Sequence, residues 1–173
     1  IYLVEDLNGV NELRVKNPAS LAYVTQTTLS VDDTTRIVTA LRIRFPAIDG
    51  PRKGDICYAT QNRQDAIRSI AQRADVVLVL GSPTSSNSNR LREVAAESGA
   101  DAHLIDDVSE IQPEWLEGCE LVGVTAGASA PESLVVDVID QLVVLGGELV
   151  TAIAREDEGV TFSVPVPRGN RQL

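Results

Sequence analysis

One pattern recurs three times in this chain of 173 residues: an apolar run, a turn of small polar residues, and then a helix-like segment. The three turns occupy residues 25–30, 81–89 and 125–132. Strands that alternate with amphipathic helices are typical of α/β proteins, in which right-handed crossovers join parallel strands. The pattern therefore predicts an α/β fold in which each polar turn follows the carboxyl end of a strand.

The clearest strand is residues 76–80, a run of valines and leucines that ends at Gly81. Such a short, wholly apolar run is typical of a central parallel strand that is buried on both faces. Other apolar runs predict strands at 1–4, 21–24, 103–105 and 121–124, and tail strands at 148–153 and 160–164 before an irregular end. With 3% aromatic residues and no methionine, the core must be built from Val, Ile, Leu and Ala.

Helices are predicted between these strands. A weak helical pattern spans 10–13, and a stronger helix is capped by Asp32 or Asp33 and stopped by Pro46. In that helix Ile37, Leu41 and Phe45 share one face. One further helix is predicted to start soon after Cys57, and another to end at Gly99. A single helical turn is predicted at 113–116, and a last helix from Pro131 to Gly146.

A charged, turn-rich break at residues 50–55 predicts a domain boundary. We therefore expect two α/β units with parallel sheets, the first of them incomplete: residues 1–53 form part of one unit, and residues 54–146 form the next. Residues 147–173 are expected to form a C-terminal tail. Because the chain opens on an apolar tetrapeptide without methionine, we also expect it to be a fragment.

The net charge of the chain argues against some classes of binding partner. It has 25 acidic and 15 basic residues, a net charge of −10 that repels nucleic acid and acidic membranes. No run approaches the roughly 18 apolar residues of a membrane helix, and the first residues lack the basic region of a secretion signal. Two cysteines are too few for a disulfide scaffold. We expect a cytoplasmic protein without nucleic-acid or membrane partners.

The polar turns predict a phosphate site. In open α/β sheets ligands gather at the carboxyl ends of the strands, where helix N-termini favour anions. Ser85, Ser86 and Asn87 exceed what a helix cap requires, although each turn taken alone is also explained by capping. The sequence contains neither of the glycine-rich phosphate-loop motifs of nucleotide-binding proteins.

Cys57 lies just ahead of a predicted helix, a position that suits a metal ligand or a nucleophile. A lone cysteine beside Ile56 is also compatible with a small buried hydrophobic residue. Cys119, His103 and Trp115 are interpreted as structural. The paired aspartates at 32–33 and 106–107 are interpreted as helix caps.

Six stretches of the chain form a specific set. In order they are VTQTTLSVDDT at 24–34, GPR at 50–52, DICYATQNRQ at 55–64, SSNSNRL at 85–91, LIDD at 104–107 and GVTAGASAP at 123–131. In order and spacing they resemble the LytB family, the 4-hydroxy-3-methylbut-2-enyl diphosphate reductases. The resemblance implies a fold of three α/β units around a central pocket, of which this chain would supply two. It also implies a terminal step of the non-mevalonate isoprenoid pathway, a two-electron, two-proton reduction that loses water and yields isopentenyl and dimethylallyl diphosphates.

The resemblance implies a role for each matching residue. Cys57 matches one ligand of the family's [4Fe–4S] cluster, which is held by three cysteines. Ser85, Ser86, Asn87 and Ser129 match diphosphate-binding residues. Thr27 matches the threonine that works near the substrate hydroxyl during proton delivery. A ferredoxin or flavodoxin is implied as the electron donor.

The chain departs from the family in lacking two cluster cysteines and the histidines and glutamate of the N-terminal part. A single matching cysteine cannot hold a cubane cluster in the usual way, so we expect this chain alone to be inactive. Two other functions stay open at this point. One is a phosphate-ester binding module without redox chemistry; the other is a sugar-phosphate isomerase-like domain, which needs a catalytic Glu or His near the pocket.

Overall fold

A computed structural model of the chain describes residues 1–51 and 55–150. The helices are α1 (Leu7–Glu12), α2 (Val31–Arg44), α3 (Tyr58–Ala71), α4 (Ser86–Glu97) and α5 (Glu132–Val144). The strands are β1 (Val76–Leu80), β2 (Asp101–Ile105) and β3 (Val122–Ala126), and two short 3₁₀ helices span Val108–Glu110 and Pro113–Leu116. No helix in the described part of the chain is long and apolar enough to cross a membrane.

The three strands form one parallel sheet in the order β2-β1-β3. Val76 pairs with Asp101 on one side and with Val122 on the other, so all three strands begin and end at the same level. All five residues of β1 are buried. The prediction of an α/β fold with a central parallel strand at 76–80 is therefore confirmed.

Helices cover both faces of this sheet. Val77 and Val79 point to one face, where they pack with Ile67 of α3 and Leu91 of α4. The alternate residues of β1 point to the other face and pack with Val138 of α5. Because strand side chains alternate between faces, an uninterrupted apolar run is what a strand covered on both sides requires.

A separate small core lies in the N-terminal part of the chain. Val10 of α1 and Leu41 of α2 are buried there together with Phe45, which follows the end of α2. Ile37 packs against this cluster, as its position on the same helical face predicts. The helix begins two or three residues earlier than a cap at Asp32 or Asp33 predicts, because Ser30 is the N-cap and its Oγ accepts a hydrogen bond from the N–H of Asp33 at 3.2 Å.

Two strand predictions in the N-terminal part are wrong. Residues 1–4 form no strand, and Leu3 is 82% exposed. In the segment 21–24, Ala22 makes only an isolated parallel bridge to Asp49, and Val24 is 86% exposed. Both runs have strand-like composition, but a strand needs a neighbour to accept its backbone hydrogen bonds, and the described residues provide just that one bridge.

The other differences concern the ends of elements. The weak N-terminal helix is displaced toward the start of the chain, and Pro131 is the N-cap of α5 rather than a residue of its first turn. Residues 148–150 are not in a strand, and the rest of the predicted tail, 151–173, lies outside the described residues. So does the middle of the predicted boundary, residues 52–54; the division into units stays a prediction.

Asp75, just before β1, joins the start of the sheet to the loop that leads into β3. Its Oδ2 accepts the backbone N–H groups of Glu120 and Leu121 at 2.8 and 3.0 Å. The hydrogen bond from Leu121, followed by that from Glu120, holds the pKa of the Asp75 carboxyl below its ordinary value.

Asp75→Asn is expected to lower the free energy of unfolding at pH 7. Folding lowers the pKa of Asp75, so the ionised carboxyl contributes to the free energy of unfolding. This contribution is fully present above the unfolded-state pKa of about 3.9 and is lost as pH falls through the lower pKa of the folded state. Urea unfolding at pH 7 and at stepwise lower pH should show the difference from wild type shrinking below about pH 4. Asp140→Asn, which removes an exposed charge from α5, is the control; an equal effect from both variants contradicts the prediction.

Candidate phosphate-binding site

The second polar turn connects β1 to α4. Ser85 is the N-cap of α4, and its Oγ accepts the N–H of Ser88 at 3.3 Å. Ser86 and Asn87 occupy the first turn of the helix, where backbone N–H groups have no acceptor within the helix. The Nδ2 atom of Asn87 is buried and has no hydrogen-bond partner among the described residues. The turn thus presents several groups that can donate hydrogen bonds to an anion.

The third polar turn lies directly beside the second. Gly127, which begins it after β3, donates its N–H to the carbonyl oxygen of Leu80 at the end of β1 at 2.8 Å. Ser88 of α4 fills the space between Gly81 and Gly127. Ser129 lies farther along this turn and is exposed. Parallel pairing of β1 with β3 therefore brings the second and third turns to one edge of the sheet.

The first polar turn is fixed to the segment that carries Cys57. The carbonyl oxygen of Thr27 accepts the N–H of Cys57 at 3.3 Å. Two residues before Cys57, Asp55 Oδ2 accepts the N–H of Thr25 at 2.6 Å. Thr27 and Cys57 are both exposed, so two residues that carry a hydroxyl and a thiol are joined through their backbones at the surface.

Gln64 of α3 holds the same turn from behind. Its side chain is fully buried, and its amide makes two hydrogen bonds to the backbone that leads into α2. Nε2 donates to the carbonyl oxygen of Leu29 at 2.9 Å, and Oε1 accepts the N–H of Val31 at 3.1 Å. The position of the first turn relative to α3 is thus set by a buried side chain as well as by the Cys57 backbone.

A cleft of about 360 Å³ separates the first turn from the second. On one side it is lined by Gln26, Thr28 and Leu29, and on the other by Pro83, Thr84, Ser86, Asn89, Arg90 and Glu93. The single cationic residue among these, Arg90, is paired with Glu93 at 2.8 Å and lies 3.7 Å from Asp33 of α2. Hydroxyls, amides and helix ends are therefore the groups that remain for an anion in this cleft.

The helix N-termini at this edge differ in charge. The first turns of α3 and α4 contain no acidic residue, whereas α2 has Asp32 and Asp33 and α5 has Glu132. A helix N-terminus carries a partial positive charge that a carboxylate in its first turn offsets. The helices that follow Cys57 and Ser85 are thus the ones whose positive ends stay available to an anion.

The two cysteines have different surroundings. Cys57 is an exposed free thiol at the N-cap of α3. Cys119 is partly buried, and its Sγ donates a hydrogen bond to the carbonyl oxygen of Trp115 at 3.1 Å. Burial, followed by the negative charges of Asp75 and Asp101, raises the pKa of the Cys119 thiol. Cys57 is therefore the cysteine suited to act as a ligand or nucleophile.

Within residues 1–51 and 55–150 no group of three His, Cys, Asp or Glu side chains is arranged to hold a metal. An iron–sulfur cluster of the cubane type needs several thiolates, and the sequence has only one cysteine besides Cys57. The described residues therefore fit one ligand position of such a cluster and not the complete set.

His103 does not belong to the cleft. It lies on β2, and its ring stacks on Trp115 with 3.8 Å between centroids and 3° between planes. Trp115 packs against the core on the α5 face of the sheet. Glu93 does line the cleft, but Arg90 takes up its carboxylate. An isomerase-like site with a free catalytic Glu or His has no support from this arrangement.

Of the residues that the sequence predicts for the site, Ser86 lines the cleft, whereas the others lie in the turns and helix ends beside it and are not among its lining residues. Thr27 adjoins Cys57; Ser85, Ser86 and Asn87 begin α4; and Ser129 follows in the neighbouring turn. Sequence reasoning gave no role to Gln64 or Ser88. The signal for Gln64 was its place on the buried face of α3 with Thr60, Ile67 and Ala71, where a polar amide must find partners.

Comparison with known proteins identifies the family of the chain. A family model described as LytB protein matches residues 1–143. Two curated relatives are 4-hydroxy-3-methylbut-2-enyl diphosphate reductases, from Marinobacter nauticus and Chromohalobacter salexigens. They are 58% and 59% identical to this chain over 165 residues, which cover 95% of this chain and 52% of each relative. The chain thus spans about half the length of the curated relatives it matches.

A solved structure extends the agreement to the fold. The E-1-hydroxy-2-methyl-but-2-enyl-4-diphosphate reductase from Plasmodium falciparum superposes with a TM-score of 0.76 at 36% identity. The match covers 80% of this chain and 44% of that protein. With the parallel sheet, the clustered polar turns and the family model all in accord, the chain belongs to the LytB family.

Proposed function

We propose that this chain forms the diphosphate-binding part of a 4-hydroxy-3-methylbut-2-enyl diphosphate reductase and contributes Cys57 as one ligand of its [4Fe–4S] cluster. The observation that carries the proposal is the clustering of three polar turns at one edge of the fold, with the backbone of Thr27 bonded to that of Cys57. The high identity to reductases of this name supplies the reaction.

The diphosphate of such a substrate offers only acceptor oxygens when fully ionised, so its site needs donors. Ser85, Ser86 and Ser129 supply hydroxyls, and Asn87 supplies the buried Nδ2 that lacks a partner among the described residues. Leaving a buried donor unpaired costs about 1–3 kcal/mol, and a bound phosphate oxygen would remove that cost. The acid-free N-terminus of α4 adds a favourable field.

Thr27 is proposed to act at the other end of the substrate, next to its hydroxyl group. The overall reaction adds two electrons and two protons: one proton goes to a carbon of the allyl unit, and the other leaves with the hydroxyl as water. The backbone of Thr27 is bonded to that of Cys57 and its side chain is exposed, which supports a role for its hydroxyl in passing that second proton.

The cluster, when bound, supplies the electrons, which a ferredoxin or flavodoxin is proposed to deliver. Cys57 suits one ligand position because it is exposed and precedes a helix without acidic residues in its first turn. The complete ligand set is not present among the described residues. We therefore propose that the other thiolates come from outside these 173 residues, and that the chain alone binds diphosphate without reducing the substrate.

Two measurements test this proposal. Titration of the 173-residue chain with inorganic pyrophosphate, followed by amide NMR, is expected to shift the signals of residues 85–89 and 127–130 and to leave those of α1 unchanged. A chimeric protein, in which this chain replaces the matching half of the Marinobacter nauticus reductase, is expected to reduce the substrate anaerobically. Reduction by the isolated chain after reconstitution with iron and sulfide, or an inactive but folded chimera, would contradict the proposal.

A further inference from the structure

We propose that Ser88 is a positioning residue that holds the hydroxyl of Ser85 as a hydrogen-bond donor toward the bound diphosphate. The inference rests on the proposed function, since Ser85 is one of the residues assigned to diphosphate binding. The family resemblance gives Ser88 no role. The inference explains why the hydroxyl of Ser85 donates a hydrogen bond to the diphosphate rather than accepting one.

Ser85 Oγ receives two hydrogen bonds from a single neighbour. The backbone N–H of Ser88 donates to it at 3.3 Å, which is the ordinary N-cap interaction. The hydroxyl of Ser88 also donates to it, at 3.1 Å. A serine hydroxyl has two acceptor positions and one proton, so both acceptor positions of Ser85 are occupied. What remains is its proton, which must go to an acceptor other than Ser88.

The second of these bonds is more than a helix cap needs. Ser88 is fully buried, with 0% of its surface exposed, whereas Ser85 is partly exposed at the edge where the turns meet. The buried hydroxyl donates outward to the partly exposed one, and this fixes the direction of the proton on the outer hydroxyl. Asn87, in the same turn, has a buried Nδ2 without a partner among the described residues. Two neighbouring donors without an acceptor in the described part of the chain match a ligand that only accepts, such as an ionised phosphate.

The packing around Ser88 explains why this position suits serine. A methyl group added to Gly81 or to Gly127 would overlap with Ser88 Oγ, so the hydroxyl fills a niche between the second and third turns. Threonine would bring an additional methyl group into that niche. Alanine would fit, but it would remove the donor to Ser85. Serine meets both requirements, and its position links Ser85 to the turn that carries Ser129.

A double-mutant cycle on the full 173-residue chain tests the inference, with inorganic pyrophosphate as the probe. Affinities of wild type, Ser85→Ala, Ser88→Ala and the double variant are measured by amide NMR titration, and the thermal midpoint of each is recorded. Ser88→Ala is expected to weaken binding by about threefold to tenfold when Ser85 is present, the value of one ordinary hydrogen bond. In the Ser85→Ala background the same change is expected to have less than about a twofold effect, because Ser88 acts through Ser85.

Ser98→Ala is the matched control. Ser98 follows the other end of α4, and its Oγ donates to the carbonyl oxygen of Val94 at 2.7 Å, so this variant loses a comparable hydroxyl bond far from the turns. It is expected to leave the affinity for pyrophosphate unchanged. Alanine favours helices, so Ser88→Ala is expected to stay folded.

The outcomes separate the two proposals. Equal weakening by Ser88→Ala in both backgrounds, or no weakening in wild type, overturns the role of Ser88 and leaves the diphosphate site intact. A folded wild-type chain that shows no pyrophosphate-dependent shifts overturns the diphosphate site and the role of Ser88 together.

Discussion

Replacing Gln64 by leucine is expected to lower the free energy of unfolding by about 2–4 kcal/mol, because two partly buried backbone groups lose their partners at once. The carbonyl of Leu29 would lose its donor, and the N–H of Val31 would lose its acceptor. Leucine is close in size to glutamine, so the effect isolates the hydrogen bonds from the packing of α3. Urea unfolding at neutral pH measures it.

Gln61→Leu provides the control, since Gln61 is exposed on the same helix one turn earlier. Exposed substitutions of this kind change stability by about 0.5 kcal/mol or less. Similar stabilities for the two variants would mean that water replaces both backbone partners, and the prediction would be wrong.

The second half of the fold could be predicted from local patterns because those patterns are compatible with a single arrangement of strands and helices. A five-residue apolar run such as β1 has to be covered on both faces, which requires helices on each side of a parallel sheet. Gly81 and Gly99 mark where the chain turns after β1 and α4. Once β1 and β3 are parallel, the second and third turns fall at the same edge, so the clustering of these two turns follows from topology. The first turn follows no strand of this sheet, and its place depends on contacts with residues distant along the chain.

The N-terminal part was harder to predict because strand formation depends on partners as well as on composition. Residues 1–4 and 21–24 have apolar side chains suited to a sheet, yet only Ala22 finds a bridge partner among the described residues. Propensity for strand is a local property, whereas pairing is not. The sequence pattern indicated the preference of these segments without indicating whether a neighbouring strand is present.

The supporting residues of the site were missed for a related reason. Gln64 bonds to Val31 and Leu29, which lie 33 and 35 positions away along the chain. Ser88 is close to Ser85 in sequence, but the niche that buries it is formed by Gly81 and Gly127 from two different turns. A motif identifies residues that are exposed to a ligand more readily than those that hold them, because the latter are defined by distant contacts.

Cys57→Ser is expected to reduce the reductase activity of the chimeric protein at least about 100-fold. Mutation of groups that only support a metal ligand costs about 10-fold to 100-fold in metal affinity or activity, so loss of a ligand itself should cost more. Anaerobic assay of substrate reduction, together with iron content per protein, measures the effect. Both quantities are expected to fall together, because the reduction depends on the cluster.

Cys119→Ser in the same chimera is the matched control. Serine can keep the hydrogen bond that Cys119 donates to the carbonyl of Trp115, and Cys119 precedes β3, at the edge of the sheet opposite to the second and third turns. Iron content and activity are therefore expected to stay near those of the unmodified chimera.

The isolated chain gives a second comparison for Cys57→Ser. In that chain the substitution should leave pyrophosphate affinity unchanged, since the proposed diphosphate donors lie on α4 and in the third turn. A Cys57→Ser chimera that keeps its iron and its activity would contradict the role of Cys57 as a ligand of the cluster.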